Sequence, residues 1–270
     1  MTATAIAAPE RERLTTHPEW ADLLKVALEM PGEAGNTYNR FRRLSFGNQA
    51  LLMMQGLYEP VHTYKGWLSL GRQVRKGSKA KSIYVPMFRK REDSKGEERE
   101  YLSGFKLVPS MFGVSETDGE ELPAWDPPTW SRAQALRKLK IQRKRYTLID
   151  GNTQGYSMGQ TLAINPVAVY PFKTLIHEMA HIVAGHTTED QMAEYHHHRG
   201  RFEFEAEGTA YLIMNELGAL KQFNAAESRN YIQTWLKDET PDEKSVRRVF
   251  STADKILRAG YPEEEKKEAE

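Results

Sequence analysis

The chain has 270 residues, 39% of them hydrophobic and 10% aromatic, enough for two modest domains or one large one around a proper core. A charged fraction of 28% and a mean hydropathy of -0.66 exclude a membrane protein, and the lack of cysteine excludes disulfides and thiolate metal ligands. The net charge of +1 says little as a total and becomes informative only when followed along the chain.

Met1 to Pro9 has neither the charged start nor the long apolar core of a secretory leader, so a cytoplasmic location is expected. Residues 1–16 are small and polar and read as a disordered N-terminus. His17 opens an amphipathic helix running to about Met30, with Trp20, Leu23, Leu24, Ala27 and Leu28 on one stripe and Pro31-Gly32 as its stop. A second helix is expected over Asn36 to Gln55, broken near Gly47.

From Pro60 to Arg91 there are nine Lys or Arg and no Asp or Glu. Ile83–Phe88 and Phe105–Val108 read as strands, with Glu92–Glu100 as a charged hairpin tip, so this region is a small α+β unit. Its cations interleave with aromatics and glycines, a mixture that neutralises phosphates and stacks on unpaired bases. The candidate nucleic-acid contacts are Arg40, Arg43 and Asn48 on the preceding helix, then Tyr64, Lys65, Trp67, Arg72, Arg75, Lys76, Lys79 and Lys81. Two other readings stay open: a solvated basic face, and a buried turn at Gly66-Trp67-Leu68 that places Trp67 in the core. The absence of a helix-turn-helix or zinc-finger pattern favours single strands over duplex.

Leu122 to Trp130 holds three prolines and is the expected interdomain linker. A basic helix over Arg132–Arg145 and a hairpin or edge strand over Tyr156–Asn165 follow. An edge strand beside the next helix could hold an extended peptide by strand addition.

That next helix carries His177-Glu178-x-x-His181, the HExxH pattern of zinc-dependent hydrolases. Four residues apart on a helix, the two imidazoles project from one face and can reach one tetrahedral metal. Glu178 lies about 60° round the helix from His181, where it can take a proton from water without being a ligand. Leu175, Ile176, Met179, Ile182, Val183 and Ala184 fill the remaining circumference, so the helix is expected to be buried except along its histidine stripe. Asn165-Pro166 reads as its N-terminus and Gly185 as its stop.

A third ligand must come from elsewhere. Arg201–Ile213 is a second helical pattern in which Glu203 and Glu207 share a face. Glu203 is the expected ligand and Glu207 the partner that hydrogen-bonds a ligating histidine, while Glu205 points the other way and is expected on a solvated face. His196–His198, read as a loop tract, is the alternative source of a ligand. The group that stabilises an oxyanion is left open among Tyr156, Tyr195, Tyr211 and His196–His198. Helices over Ala225–Lys237 and Glu243–Arg258 and a charged, disordered tail complete the chain.

Asn36-Thr-Tyr-Asn39, Asn48-Gln-Ala-Leu51, Tyr64-x-x-Trp67-x-x-Leu70-Gly-Arg-Gln-Val-Arg-Lys-Gly77, Phe105 to Gly119 and the HExxH helix together resemble ArdC-type antirestriction proteins over residues 18–220. The resemblance implies an N-terminal single-stranded-DNA-binding domain and a C-terminal metalloprotease-like domain, carried by a mobile element and protecting incoming DNA from host restriction. It matches His177 and His181 to the metal histidines, Glu178 to the catalytic glutamate and Glu203 to the acidic ligand.

The fold class expected is α+β in two domains. Residues 17–125 form a small basic single-stranded-DNA-binding domain, and residues 126–260 a mainly helical zincin-like metallopeptidase domain with a short sheet; 1–16 and 261–270 are tails. Zinc, or another divalent ion such as Mn2+, is the expected cofactor. The expected partners are single-stranded DNA and an unidentified protein substrate, with a host restriction component as a candidate, and no membrane. The competing reading is a non-catalytic single-stranded-DNA-binding protein whose metal site is structural or vestigial.

Overall fold

The computed structural model describes residues 13–29, 44–92, 97–122, 128–148, 152–193, 195–238 and 242–262, without the side chains of 192–193, 195–198 and 235–238. The expectations for residues 1–12, 30–43 and 263–270, Arg40 and Arg43 among them, lie outside the described residues. The architecture is α+β, and it divides into two compact units: Met1–Glu19 with Asn36–Trp125, and Trp20–Gly35 with Asp126–Glu270. The first amphipathic helix, α1 (Trp20–Glu29), thus groups with the C-terminal residues, whereas the sequence reading set it in the N-terminal domain.

In the first unit, α2 (Phe46–Met54) is capped by the Ser45 hydroxyl, which accepts from the Asn48 amide. β1 (Val61–Thr63) leads directly into α3 (Tyr64–Ser69), capped by Thr63. β2 (Arg72–Val74) pairs antiparallel with β5 (Thr117–Gly119). β3 (Lys81–Glu92) and β4 (Glu98–Gly113) form a long ribbon, and β1 joins it in the order β1-β4-β3. Both strands of the ribbon are longer than the sequence suggested.

β3 is an edge strand, and an edge leaves backbone groups unpaired. Two side-chain amides, Asn48 in α2 and Gln55 at its C-cap, satisfy those of two residues. The Asn48 side chain accepts from Tyr84 N at 2.7 Å and donates to Tyr84 O at 3.1 Å. Gln55 does the same for Ser82, at 2.9 Å each way. Gln55 Oε1 also accepts from Leu14 N, and the Ser82 hydroxyl donates to Leu14 O, so the chain near residue 14 is fastened rather than disordered.

In the second unit, α4 (Arg132–Lys138) is shorter than expected and gives way to β6 (Gln142–Arg143). β7 (Gly155–Met158) and β8 (Thr161–Ile164) make the hairpin, in a sheet ordered β6-β8-β7 with β7 at one edge. α5 (Pro171–Ala184), α6 (Glu189–Ala193), α7 (Tyr195–Glu216), α8 (Ala225–Asp238) and α9 (Glu243–Gly260) complete it. His196–His198 therefore lies within α7, not in a loop.

α5 begins at Pro171, not at Asn165-Pro166. The Asn165 side chain instead accepts from Val167 N and donates to Thr153 O, which closes a local turn. Gly185 ends the helix with a left-handed φ of 85°, a conformation that glycine adopts without steric cost.

The core of this unit is apolar and shared by its helices: Leu24 and Leu28 of α1, Ile176 and Met179 of α5, Phe204 and Ile213 of α7, and Val249 and Ile256 of α9 are buried. Trp20 packs its ring against Phe250, and the Tyr211 hydroxyl donates to Leu28 O, which ties α1 to α9 and α7. Among the described residues no helix is long and apolar enough to cross a membrane.

Candidate metal centre

α5 and α7 bring His177, His181 and Glu203 together, with one ligand atom from each inside a 4.8 Å span. The two Nε2 atoms stand 3.1 Å apart, and Glu203 places Oε2 3.3 Å from His177 Nε2 and Oε1 3.8 Å from His181 Nε2. Helical spacing supplies the first pair, and close packing of α7 on α5 supplies the carboxylate.

Each histidine is held from behind through its other nitrogen. His177 Nδ1 lies 3.1 Å from Glu207 Oε2. Glu207 is itself fixed by Lys173 Nζ at 2.6 Å and by the Ser228 hydroxyl. His181 Nδ1 lies 3.0 Å from His186 Nδ1, and His186 Nε2 lies 2.7 Å from Glu205 Oε2. Glu205, 1% exposed, also accepts from Ser245 Oγ and Arg248 Nη1 of α9. The expectation of a solvated Glu205 is corrected here: it does point away from Glu203, but that direction leads into α9 rather than into water.

The tautomers follow from these partners. Burial opposes ionising Glu205, yet His186, Ser245 and Arg248 outweigh it and hold its pKa low. An ionised Glu205 accepts a hydrogen bond from His186 Nε2–H, which leaves His186 Nδ1 as the acceptor toward His181. His181 then donates from Nδ1 and keeps a lone pair on Nε2, the atom that faces Glu203. Glu207 fixes His177 in the same sense. Burial also works against ionising Glu207, but His177 and Lys173 overcome it and bring its pKa down to about 2.

Charge sets the two histidines apart. Burial opposes charging His177, yet Glu203 and Glu207 prevail and raise its pKa to about 9. Burial, together with the charge on His177, lowers His181 to about 3. The fit to a cation rests on this donor set: two convergent imidazole nitrogens, one carboxylate, and a fixed partner behind each ring.

Glu178 is buried beside the cluster, and its Oε2 accepts from Ser157 Oγ at 2.7 Å. Burial raises its pKa against the opposing pull of His177 and Ser157. Ser157 belongs to the edge strand β7. The cluster opens into a cavity of about 550 Å³ whose wall includes Gln154, Tyr156, Tyr170, Lys173 and Arg199.

Of the candidate oxyanion groups, Tyr156 lines this cavity, whereas Tyr211 is buried with its hydroxyl on Leu28 O. Tyr195 and His196–His198 have side chains outside the described residues. Sequence reasoning missed Ser157, Lys173, His186, Ser228, Ser245 and Arg248. Only Lys173 left a signal, four residues before His177 on the same helical face.

The described nucleic-acid candidates of the first unit do not form one open surface. Trp67 is fully buried, with its indole N–H on Phe112 O, and Lys81 is 2% exposed. Asn48 is engaged with β3. Arg72 donates to Thr117 Oγ1 at 2.8 Å, to Thr117 O at 3.1 Å and to the carbonyls of Gly119 and Glu120, so it clamps β2 to β5. Arg75 pairs with Asp118 at 3.0 Å and donates to Ser115 O. Tyr64, Lys65, Lys76 and Lys79 are exposed.

Residues 20–110 match the family model described as the N-terminal domain of anti-restriction factor ArdC. Two crystal structures of the antirestriction ArdC protein from the R388 plasmid share the fold. The metal-free form aligns with a TM-score of 0.50 at 19% identity, covering 89% of this chain and 94% of that one. The Mn(II)-bound form aligns with a TM-score of 0.52 at 19% identity, covering 90% and 97%. No curated protein matches the chain.

Proposed function

We propose that the chain, whose residues 20–110 match the ArdC N-terminal-domain model and whose fold R388 ArdC shares, is an antirestriction protein with two activities. The N-terminal unit binds single-stranded DNA, and the C-terminal unit is a metal-dependent peptidase, so that incoming DNA of a mobile element survives host restriction. The observation that carries the peptidase reading is the convergence of His177, His181 and Glu203 beside a buried Glu178.

His177, His181 and Glu203 would hold the divalent ion, zinc or Mn2+. Such an ion, when bound, supplies Lewis acidity that polarises a carbonyl and acidifies water. Glu178 is the proton carrier: Ser157 fixes Oε2, leaving Oε1 to take a proton and pass it to a leaving amine. Its raised pKa suits that shuttle better than an ordinary carboxylate would. Once His177 has given up its extra proton, Glu207 and the His186–Glu205 pair hold the remaining ring protons on Nδ1, so that both Nε2 lone pairs would face the ion. Strand β7, at the sheet edge and lining the cavity, can bind an extended peptide by backbone pairing.

The test is metal analysis of the purified full chain together with cleavage of a quenched-fluorescence peptide library, compared with Glu178→Gln. Stoichiometric metal in both proteins and cleavage only by the unaltered chain is the expected result. Metal without cleavage in either would reduce the centre to a structural one and leave DNA coating as the protective activity.

A further inference from the structure

Strands β3 and β4 remain paired well past the point where β1 ends. β1 meets only Met111–Gly113 of β4, whereas β3 and β4 stay in register out to Glu92 opposite Glu98. From Pro86 to Glu92 and from Glu98 to Ser103 every residue is exposed, so this part of the ribbon meets water on both faces.

Residues opposite one another on antiparallel strands project to the same face, and successive residues alternate. One face therefore carries Arg89 opposite Tyr101 and Arg91 opposite Arg99. Across the register shift at Met87/Phe88 it continues through Met87 opposite Gly104 to Val85 opposite Lys106. The other face carries Phe88 opposite Leu102, Lys90 opposite Glu100 and Glu92 opposite Glu98.

Charge is thus sorted by face. Counting only the described residues of each face, the first has four cations and, near its end, one carboxylate, Glu97, which pairs with Arg99 at 3.2 Å. The second has three carboxylates and one cation. Tyr101, 45% exposed, stands among the arginines of the basic face. The shift leaves Ser103 as an extra residue, its hydroxyl on Met87 O. A bulge of this kind bends and twists a ribbon.

We propose that the basic face of this ribbon, Arg89, Arg91, Arg99 and Tyr101, binds single-stranded DNA, with the arginines on phosphates and Tyr101 stacked on an unpaired base. The inference rests on the reading of the N-terminal unit as a single-stranded-DNA binder and supplies it with a surface. Within the segment first nominated, Trp67 and Lys81 are buried and Arg72 is engaged with Thr117 of β5, so the exposed Tyr64, Lys65, Arg75, Lys76 and Lys79 make only part of a surface. Arg89 and Arg91 stand two residues apart, a rise of about 6.7 Å, so successive cations step along a bound strand. The acidic opposite face repels the same strand, which makes the ribbon one-sided. A stacking ring favours unpaired bases, because those of a duplex have no free faces.

The test uses the full chain and labelled oligo(dT), followed by fluorescence anisotropy over a salt series. Replacing Arg89, Arg91 and Arg99 together by Ser should weaken binding and reduce the slope of log K against log salt by about 2, at about 0.7 per phosphate. Tyr101→Ala should weaken binding about 5- to 150-fold, and the loss should persist at high salt. Tyr101→Phe should bind as the unaltered chain does, and Lys90→Ser on the acidic face should leave the slope unchanged. If the unaltered chain binds but the triple variant keeps its affinity and slope, the ribbon assignment is overturned alone. Tighter binding of duplex oligo(dA)·oligo(dT) overturns it as well. If the unaltered chain binds no oligonucleotide, the reading of the whole N-terminal unit falls with it.

Discussion

The Nδ1 atoms of His181 and His186 lie 3.0 Å apart, so a single proton is shared along that line. Glu205 decides which ring owns it. By accepting the hydrogen bond of His186 Nε2–H, Glu205 makes His186 the acceptor and His181 the donor along the Nδ1–Nδ1 line. Removing this support should weaken metal binding by the 10- to 100-fold typical of partners behind a ligand. Titration calorimetry with Mn(II) or Zn(II) should show that loss for His186→Phe and for Glu205→Gln. His186→Asn, whose side-chain oxygen can still accept from His181, should recover part of it. Unchanged affinity in His186→Phe would mean that His181 orients itself without help.

Metal binding should release about one proton at neutral pH. In the metal-free protein His177 titrates at about 9, so at pH 7 it is protonated and must lose that proton to become a ligand. His181, at about 3, is already neutral, and Glu207, at about 2, is already ionised, so neither adds to the count. Affinity should therefore rise with pH, by close to tenfold per unit, and level off near pH 9. Calorimetry in two buffers of different ionisation enthalpy measures the proton directly. Binding at pH 7 that gives the same heat in both buffers would contradict the assignment.

The parts of this site that a sequence reveals are those that a single helix arranges. His177, Glu178 and His181 sit within one and a half turns of α5, and their relative positions follow from the helical repeat. Glu205 shows the limit of the same reasoning. Its phase relative to Glu203 could be read, but what lies opposite could not, because Ser245 and Arg248 arrive from α9 about forty residues later. The stripe on α1 likewise announced a buried face without saying which helices would cover it. Arg72 and Trp67 stood in a basic, aromatic stretch whose composition suits nucleic acid. Their partners, Thr117 and Phe112, are 45 residues away, and long-range pairing of that kind leaves no local pattern.

Ser157 should tune the acid limb of any hydrolysis. Its hydroxyl donates to Glu178 Oε2 and stabilises the ionised form, working against burial. Ser157→Ala therefore raises the Glu178 pKa further, so more of the carboxyl is protonated at a given pH below neutrality. The acid limb of the pH–kcat/KM profile should shift to higher pH, while metal content stays stoichiometric. Glu178→Gln should abolish turnover without loss of metal or fold. A Ser157→Ala profile that coincides with that of the unaltered chain would remove Glu178 from the role of base.

Arg72 belongs to the fold of the N-terminal unit rather than to its surface. Its guanidinium reaches two groups of Thr117 and the carbonyls of Gly119 and Glu120, so side-chain bonds add to the three-residue pairing that holds β2 against β5. Arg72→Ala should cost about 1–3 kcal/mol locally, the range for leaving such acceptors without their charged donor. Hydrogen exchange of the Arg72–Val74 and Thr117–Gly119 amides should quicken accordingly. Arg72→Lys should not restore protection, because one ammonium cannot span acceptors that a planar fork reaches together. Lys76→Ala, at an exposed position in the same motif, should leave exchange unchanged. If instead Arg72→Ala keeps full protection but flattens the salt dependence of oligonucleotide binding, Arg72 is a phosphate contact after all, and the clamp is incidental.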